Sequence, residues 1–157
     1  MKFLSALLVP VVFFLDRFTK TAVIRCYAEG EGLAVWPGVF HLTRVNNTGA
    51  AFGMMKHSGQ ALVLVSVFSV FFLTLFVFRN LFLVRSGEIR TRTHLSNLAV
   101  FLVIGGALGN LYDRLKYGYV IDFLDFRVWP VFNLADASIC IGVFLVLAGL
   151  VIPKKEV

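Results

Sequence analysis

From Ala61 to Phe78 the chain runs for eighteen residues without a charge, and fourteen of them are Leu, Val or Phe. Such a run is long enough to cross a bilayer, and at roughly 0.3 to 0.6 kcal/mol per apolar residue it favours insertion by about 4 to 8 kcal/mol. Leu95 to Tyr112 is a second uncharged run, rich in Gly. Ala137 to Ile152 is a third, closed by Pro153, Lys154 and Lys155. A composition that is 59% hydrophobic and only 15% charged, with a mean hydropathy of +0.84, excludes an ordinary water-soluble domain.

The first apolar run, Phe3 to Ile24, is interrupted by Asp16, Arg17 and Lys20. Each charge at a helix centre costs roughly 2.5 to 3.5 kcal/mol, so these three must lie near one end of the span or pair with one another. A signal peptide competes for this segment, because Lys2 precedes the apolar stretch, but no small-residue cleavage site follows Leu15. Four spans are therefore expected, at about 3–24, 60–78, 95–113 and 133–152, within a single domain covering 1–157. The fold class is membrane all-α, four transmembrane helices with a small extracytoplasmic β element between the first and second.

The net charge of +6 is not a nucleic-acid signal, because the basic residues form no long block. Arg79, Arg85, Arg90 and Arg92 crowd the link between the second and third spans, and Lys154 and Lys155 follow the fourth. The positive-inside tendency then places both termini in the cytoplasm and the segments 25–60 and 113–131 outside, although Arg44, Lys56, Lys116 and Arg127 lie in the latter. Val39 to Val45 is rich in β-formers and leads into Asn46-Asn47-Thr48-Gly49, a turn signal. Trp36, before Pro37 and Gly38, suits an interfacial anchor. Cys26 and Cys140 have no metal spacing and are read as packing residues; His41, His57 and His94 form no zinc motif. No metal or other cofactor is expected.

Every one of the five aspartates lies in or beside a span. Asp16 and Lys20, at i and i+4, suit a structural ion pair on one helical face. In the third span Gly105 and Gly109 form a small-xxx-small pair around Gly106, which permits close helix packing. Beyond them Asn110, Asp113 and Arg114 present an amide, a carboxylate and a guanidinium along one face. Asn133 and Asp136 share a face at the start of the fourth span, where an N-cap role explains one of them and not readily both. Asp122 and Asp125 lie among Ile121, Phe123, Leu124 and Phe126, a segment expected to pack on or dip into the membrane surface.

Several carboxyls at one depth suit acid and base catalysis by two Asp. Held close together in a low dielectric they share a proton, so that one activates water while the other protonates a carbonyl oxygen. No G-x-S-x-G and no Ser with a placed Lys or His competes with this. A small proton-coupled transporter or channel component is the alternative, since intramembrane acids also build proton relays. It predicts repeated halves, and no internal repeat is present.

D-R-F-T-K at 16–20, N-N-T-G-A-A-F at 46–52, G-G-A-L-G-N-L-Y-D-R at 105–114, V-I-D-F at 120–123 and F-N-L-A-D at 132–136 resemble, in order, the blocks of the lipoprotein signal peptidase (signal peptidase II) family. The resemblance implies an aspartic endopeptidase of the bacterial inner membrane that removes signal peptides from lipid-modified prolipoproteins, cutting before the diacylglyceryl-cysteine. It implies Asp122 and Asp136 as the catalytic pair, with Asn47, Gly106, Asn110, Asp113, Arg114 and Asn133 binding substrate or supporting the site. Asp16 and Lys20 would be structural. Asp122 ranks ahead of Asp113 by resemblance and not by physics, and Asp125 is a minor rival. The thirteen residues between Asp122 and Asp136 make a short link for the family. The expected partners are prolipoprotein substrates and membrane lipids, with the protein a monomer and its active site near the outer face.

Overall fold

A computed structural model describes residues 5–49, 59–78 and 90–151. A 3-10 turn, Ser5–Leu7, leads into α1 (Leu8–Cys26). Two strands follow, β1 (Gly32–Trp36) and β2 (Phe40–Asn47), then α2 (Gly59–Phe78), α3 (Arg90–Tyr117), β3 (Val120–Asp125) and α4 (Leu134–Val151). The four helices coincide with the four apolar runs, displaced by a few residues. Pro10 falls in the first turn of α1, where its missing N–H breaks no helical bond. Arg79, Arg85, Lys154, Lys155, Lys56, His57, Pro153 and residues 50–52 of the second motif lie outside the described residues.

The strands differ from expectation in number and extent. The chain turns at Pro37-Gly38, where Gly38 has φ of 76°, and β1 and β2 form an antiparallel hairpin. Asn46 and Asn47 do not form the expected turn; they continue β2, because β3 supplies them with a partner strand. β3 pairs antiparallel with β2, with Val45 opposite Asp122 and Asn47 opposite Val120, giving the order β1-β2-β3. The segment around Asp122 and Asp125 is therefore a largely buried sheet strand.

α3 is the central helix and touches α1, α2 and α4. Its small residues allow this. A Cβ at Gly105 would come within 2.8 Å of Val12 Cβ on α1, and one at Gly106 would overlap the carbonyl oxygen of Ala135 on α4. Gly106→Val should therefore force α3 and α4 apart and cost about 1 to 3 kcal/mol or more, read as a lowered unfolding midpoint in detergent. An unchanged midpoint would show that this contact relaxes freely. α3 ends at Gly118, whose φ of 79° and N–H bonded to the Arg114 carbonyl at 3.1 Å form a helix C-cap.

Asn97–Tyr117 within α3 is long and apolar enough to cross a membrane, with a mean hydropathy of 1.4; the apolar stretches of α2 and α4, Val63–Leu75 and Leu134–Ala148, are shorter. Outward faces are apolar too, with Phe14 and Phe18 on α1, Phe68, Phe71 and Phe72 on α2, and Phe144 on α4 all exposed. Cys26 and Cys140 are also exposed, so neither is the packing residue expected.

Candidate active site

Asp122 lies in β3 at only 2% exposure, and Asp136 lies in the first turn of α4. Asn133 joins them. Its Nδ2 donates to Asp122 Oδ1 at 2.7 Å, while its Oδ1 accepts the Asp136 backbone N–H at 2.9 Å. Asp136 Oδ2 in turn accepts the Asn133 backbone N–H at 3.2 Å. This is a reciprocal capping box, and it explains both Asn133 and Asp136 at the helix start, where a single cap accounted for only one.

The short link brings this cap to the strand. Phe132 pairs across to Leu124, with its N–H donating to the Leu124 carbonyl at 3.1 Å and its carbonyl accepting the Leu124 N–H at 2.8 Å. The intervening loop folds back on Asp125, whose Oδ1 accepts the Arg127 N–H at 2.9 Å, with Arg127 held at a positive φ of 65°. Asp125 Oδ2 accepts the Thr43 hydroxyl at 3.1 Å and pairs with Arg127 at 3.2 Å. Asp125 thus organises the turn and makes no contact with Asn133 or Asp136, so the structure does not bring it to the pair.

Two more amides complete the surroundings. Asn47 at the end of β2 donates its Nδ2 to Asp122 Oδ2 at 2.9 Å, and Asn110 of α3 donates its Nδ2 to Asp136 Oδ1 at 2.7 Å. Asn46, by contrast, turns away to Glu29. The orientation of all three site amides follows from groups behind them that can only donate. Gly49 N–H points at Asn47 Oδ1 (3.0 Å), Lys20 Nζ at Asn110 Oδ1 (2.9 Å) and Asp136 N–H at Asn133 Oδ1. Each NH2 is therefore turned toward a carboxyl. All four carboxyl oxygens of Asp122 and Asp136 accept from N–H donors.

Behind the amides lies a buried ionic cluster. Lys20, at 0% exposure, places its ammonium 2.9 Å from Asp16 Oδ2, 2.9 Å from Asp113 Oδ2 and 2.9 Å from Asn110 Oδ1, one acceptor for each of its donors. Arg17 pairs with Asp113 at 2.6 Å and Asp16 at 3.3 Å. The two cations and two carboxylates balance. The Asp113 Oδ1 contact with Arg17 is ionic only, without hydrogen-bond geometry. The expected i, i+4 pair of Asp16 with Lys20 forms, and it does more than pair: Asp16 Oδ1 accepts the Ala135 N–H at 3.1 Å, fixing the start of α4 from α1.

Asp113 and Arg114 do not act together. Asp113 turns to α1 and accepts the Ile121 N–H at 3.2 Å, holding β3 next to Asp122, whereas Arg114 reaches α2 and donates to Ser66 Oγ at 3.2 Å. Successive helical residues point about 100° apart, so from the two edges of one broad face these side chains diverge to different partners. Gly106 reaches the site only indirectly, by letting Ala135 approach α3. The sequence reading gave no role to Arg17. The signal was there, because Asp16, Arg17 and Lys20 sum to one uncompensated positive charge within an apolar run, and Asp113 is the acid that balances it.

Burial pushes the Asp122 carboxyl up to about 7, with the charge of Asp136 adding to it and the amides of Asn47 and Asn133 pulling back. A carboxyl in this position is half protonated near neutrality, and the two acids titrate as a pair. Chemically the arrangement offers a proton and a base side by side, with no thiol or hydroxyl nucleophile among their hydrogen-bond partners.

Residues 8–152 match the family model described as signal peptidase (SPase) II. The lipoprotein signal peptidase of Pelotomaculum thermopropionicum is 44% identical over 139 residues, 88% of this chain and 86% of that protein. That of Halothermothrix orenii is 40% identical over 141 residues, 90% of each. A solved structure described as a bacterial membrane enzyme superposes with a TM-score of 0.81 at 28% identity, covering 98% of this chain and 93% of its own.

Proposed function

Because the chain belongs to the signal peptidase II family, and so is an aspartic peptidase that removes signal peptides from prolipoproteins, we propose that Asp122 and Asp136 are its catalytic pair. The observation that carries this is Asn133, which bridges these two carboxyls and no others; among the described residues the other three Asp are each in a close ion pair and these two are not. One carboxylate takes a proton from the attacking water. The other, protonated, hydrogen-bonds the scissile carbonyl and stabilises the tetrahedral intermediate, then returns its proton to the leaving amine. The scissile bond precedes the lipid-modified cysteine.

In this reading the helices are four spans, both termini lie in the cytoplasm, and the three-stranded sheet sits at the outer face above the dyad. At about 1.5 Å per residue, α1, α2 and α4 measure roughly 27 to 30 Å, which matches a bilayer core. The exposed Phe residues along them are costly in water and neutral in lipid. The acids gather at the sheet end of the helices, where a peptide bond tethered by a diacylglyceryl group and an apolar signal helix is held at the membrane surface. Asn47, Asn110 and Asn133 position the dyad, Arg114 lies where it can meet the substrate backbone, and Asp16, Lys20 and Asp113 hold the frame. One copy supplies every group this mechanism uses, so the reading needs no second subunit.

The test is cleavage by the purified enzyme of a precursor with and without the diacylglyceryl group. Only the lipidated form should be cut efficiently, and equal cleavage of both would overturn the substrate assignment. In the same assay the rate should fall about tenfold per pH unit above about 7, as the shared proton is lost. The sign for stability is the same. An Asp raised from 3.8 to about 7 binds more protons folded than unfolded, so its contribution is full below the unfolded value and diminishes as pH rises toward 7.

A further inference from the structure

A cleft of about 320 Å³ opens between α1 and α3, lined by Phe13, Phe14, Arg17, Thr21, Tyr112 and Lys116, with Tyr117 at its edge. It lies on the other side of the ionic cluster from the dyad: the route from cleft to Asp136 passes through Arg17, Asp113, Lys20 and Asn110. Its two ends differ in character. In the proposed orientation Phe13 and Phe14 lie deeper in the bilayer, and Thr21, Lys116 and Tyr117 lie at the outer mouth.

Lys116 is the unusual member. Its Nζ rests 5.4 Å from the Tyr112 ring centre and 5.1 Å from that of Tyr117, and donates to the Tyr112 hydroxyl at 3.2 Å. No carboxylate among the described residues pairs with it. Arg17 stacks on the opposite part of the same wall, its guanidinium 4.7 Å from the Tyr112 ring centre. One cation thus lacks a carboxylate partner and a second is close by, both lying against aromatic rings.

We propose that this cleft binds the headgroup of one anionic phospholipid, its phosphate against Lys116 and its acyl chains running inward past Phe13 and Phe14. The volume is at the low end of the roughly 300 to 1,000 Å³ of small-molecule sites, so it takes a headgroup and not the chains. The chains lie outside it on exposed Phe14, a surface already suited to lipid. A zwitterionic choline headgroup would bring a further cation beside Lys116, whereas an anionic one supplies the counter-charge that Lys116 lacks, Arg17 being balanced by Asp113 and Asp16. The lining residues make no hydrogen bond to either carboxyl of the dyad. The proposal rests on the span orientation given above.

The test uses the full-length protein in micelles containing equal amounts of phosphatidylglycerol and phosphatidylcholine of matched chains, with retained lipid counted by native mass spectrometry. The wild type should retain phosphatidylglycerol roughly fivefold over phosphatidylcholine, as one basic side chain at an anionic lipid supplies. Lys116→Gln should bring the ratio close to parity and Lys116→Arg should preserve it. Parity in the wild type, or a preference that survives in Lys116→Gln, overturns the proposal. Displacement of the lipid by soluble glycerol 3-phosphate at equal concentration would assign the cleft to a free phosphate and overturn the lipid. Release of the protein from membranes by alkaline carbonate is read separately, and would overturn the spans instead.

Discussion

Asp136→Asn should lower cleavage of a lipidated precursor by about a thousandfold or more, the scale on which positioned acids and bases contribute. Asp122→Asn should do the same. Isosteric replacement usually tests a carboxyl without disturbing its surroundings, but here the surroundings are polarised. Asn110 cannot rotate to offer its oxygen to the new amide, because Lys20 holds that oxygen, and Asn133 is held in the same way by the Asp136 N–H. An Asn at 136 therefore sets at least one donor against another, adding about 1 to 3 kcal/mol of destabilisation. The two effects separate cleanly: the purified variant keeps its helical circular dichroism and unfolds at a lower midpoint, yet does not cleave. Asp125→Asn is the contrast, since it loosens a surface turn and should retain most activity. Cleavage near the wild-type rate by either dyad variant would remove that residue from the chemistry.

Lys20→Met should be the most destabilising single change in the molecule, at about 3 to 5 kcal/mol, because a near-isosteric side chain leaves acceptors on Asp16, Asp113 and Asn110 facing a methyl group. Arg17 remains, but one cation then faces two buried carboxylates. The unfolding midpoint, followed by Trp fluorescence in detergent, should fall by roughly 6 °C or more. A fall under about 2 °C would show that water or Arg17 takes over the role of the ammonium. Lys20→Arg should not rescue, since a planar guanidinium cannot direct three bonds to acceptors placed around a point. Activity should fall below what the folded fraction explains, because Asn110, released, can turn its oxygen toward Asp136.

These two residues also mark what was legible in the sequence. The four helices were, because an uncharged apolar run has few other structures open to it. The Asp16–Lys20 pair was, because i, i+4 spacing is local. The third partner of Lys20 was not: Asp113 lies far along the chain, and in sequence its neighbour Arg114 is the obvious counterion. β3 was missed for a related reason. Val120–Asp125 has an apolar content that suits a membrane surface as well as a strand, and what makes it a strand is β2, some 75 residues earlier at Asn47. The resemblance singled out Asp122 and Asp136 among five acids, but it did not reveal that their hydrogen bonds form a capping box and three oriented amides. Those depend on backbone N–H groups, which no side-chain pattern records.

The uniform direction of those amides has a consequence for inhibitors. Every group lining the two carboxyls from behind is a donor whose orientation is fixed, so a compound entering the site cannot persuade an Asn to flip and accept. A primary amine would have to compete for the dyad's own oxygens, already occupied by three amides and a backbone N–H. A hydroxyl or a polarised carbonyl can instead share the dyad's proton and leave the amides in place. Selectivity among ligands of similar shape should therefore follow which way their polar atom donates more closely than their size.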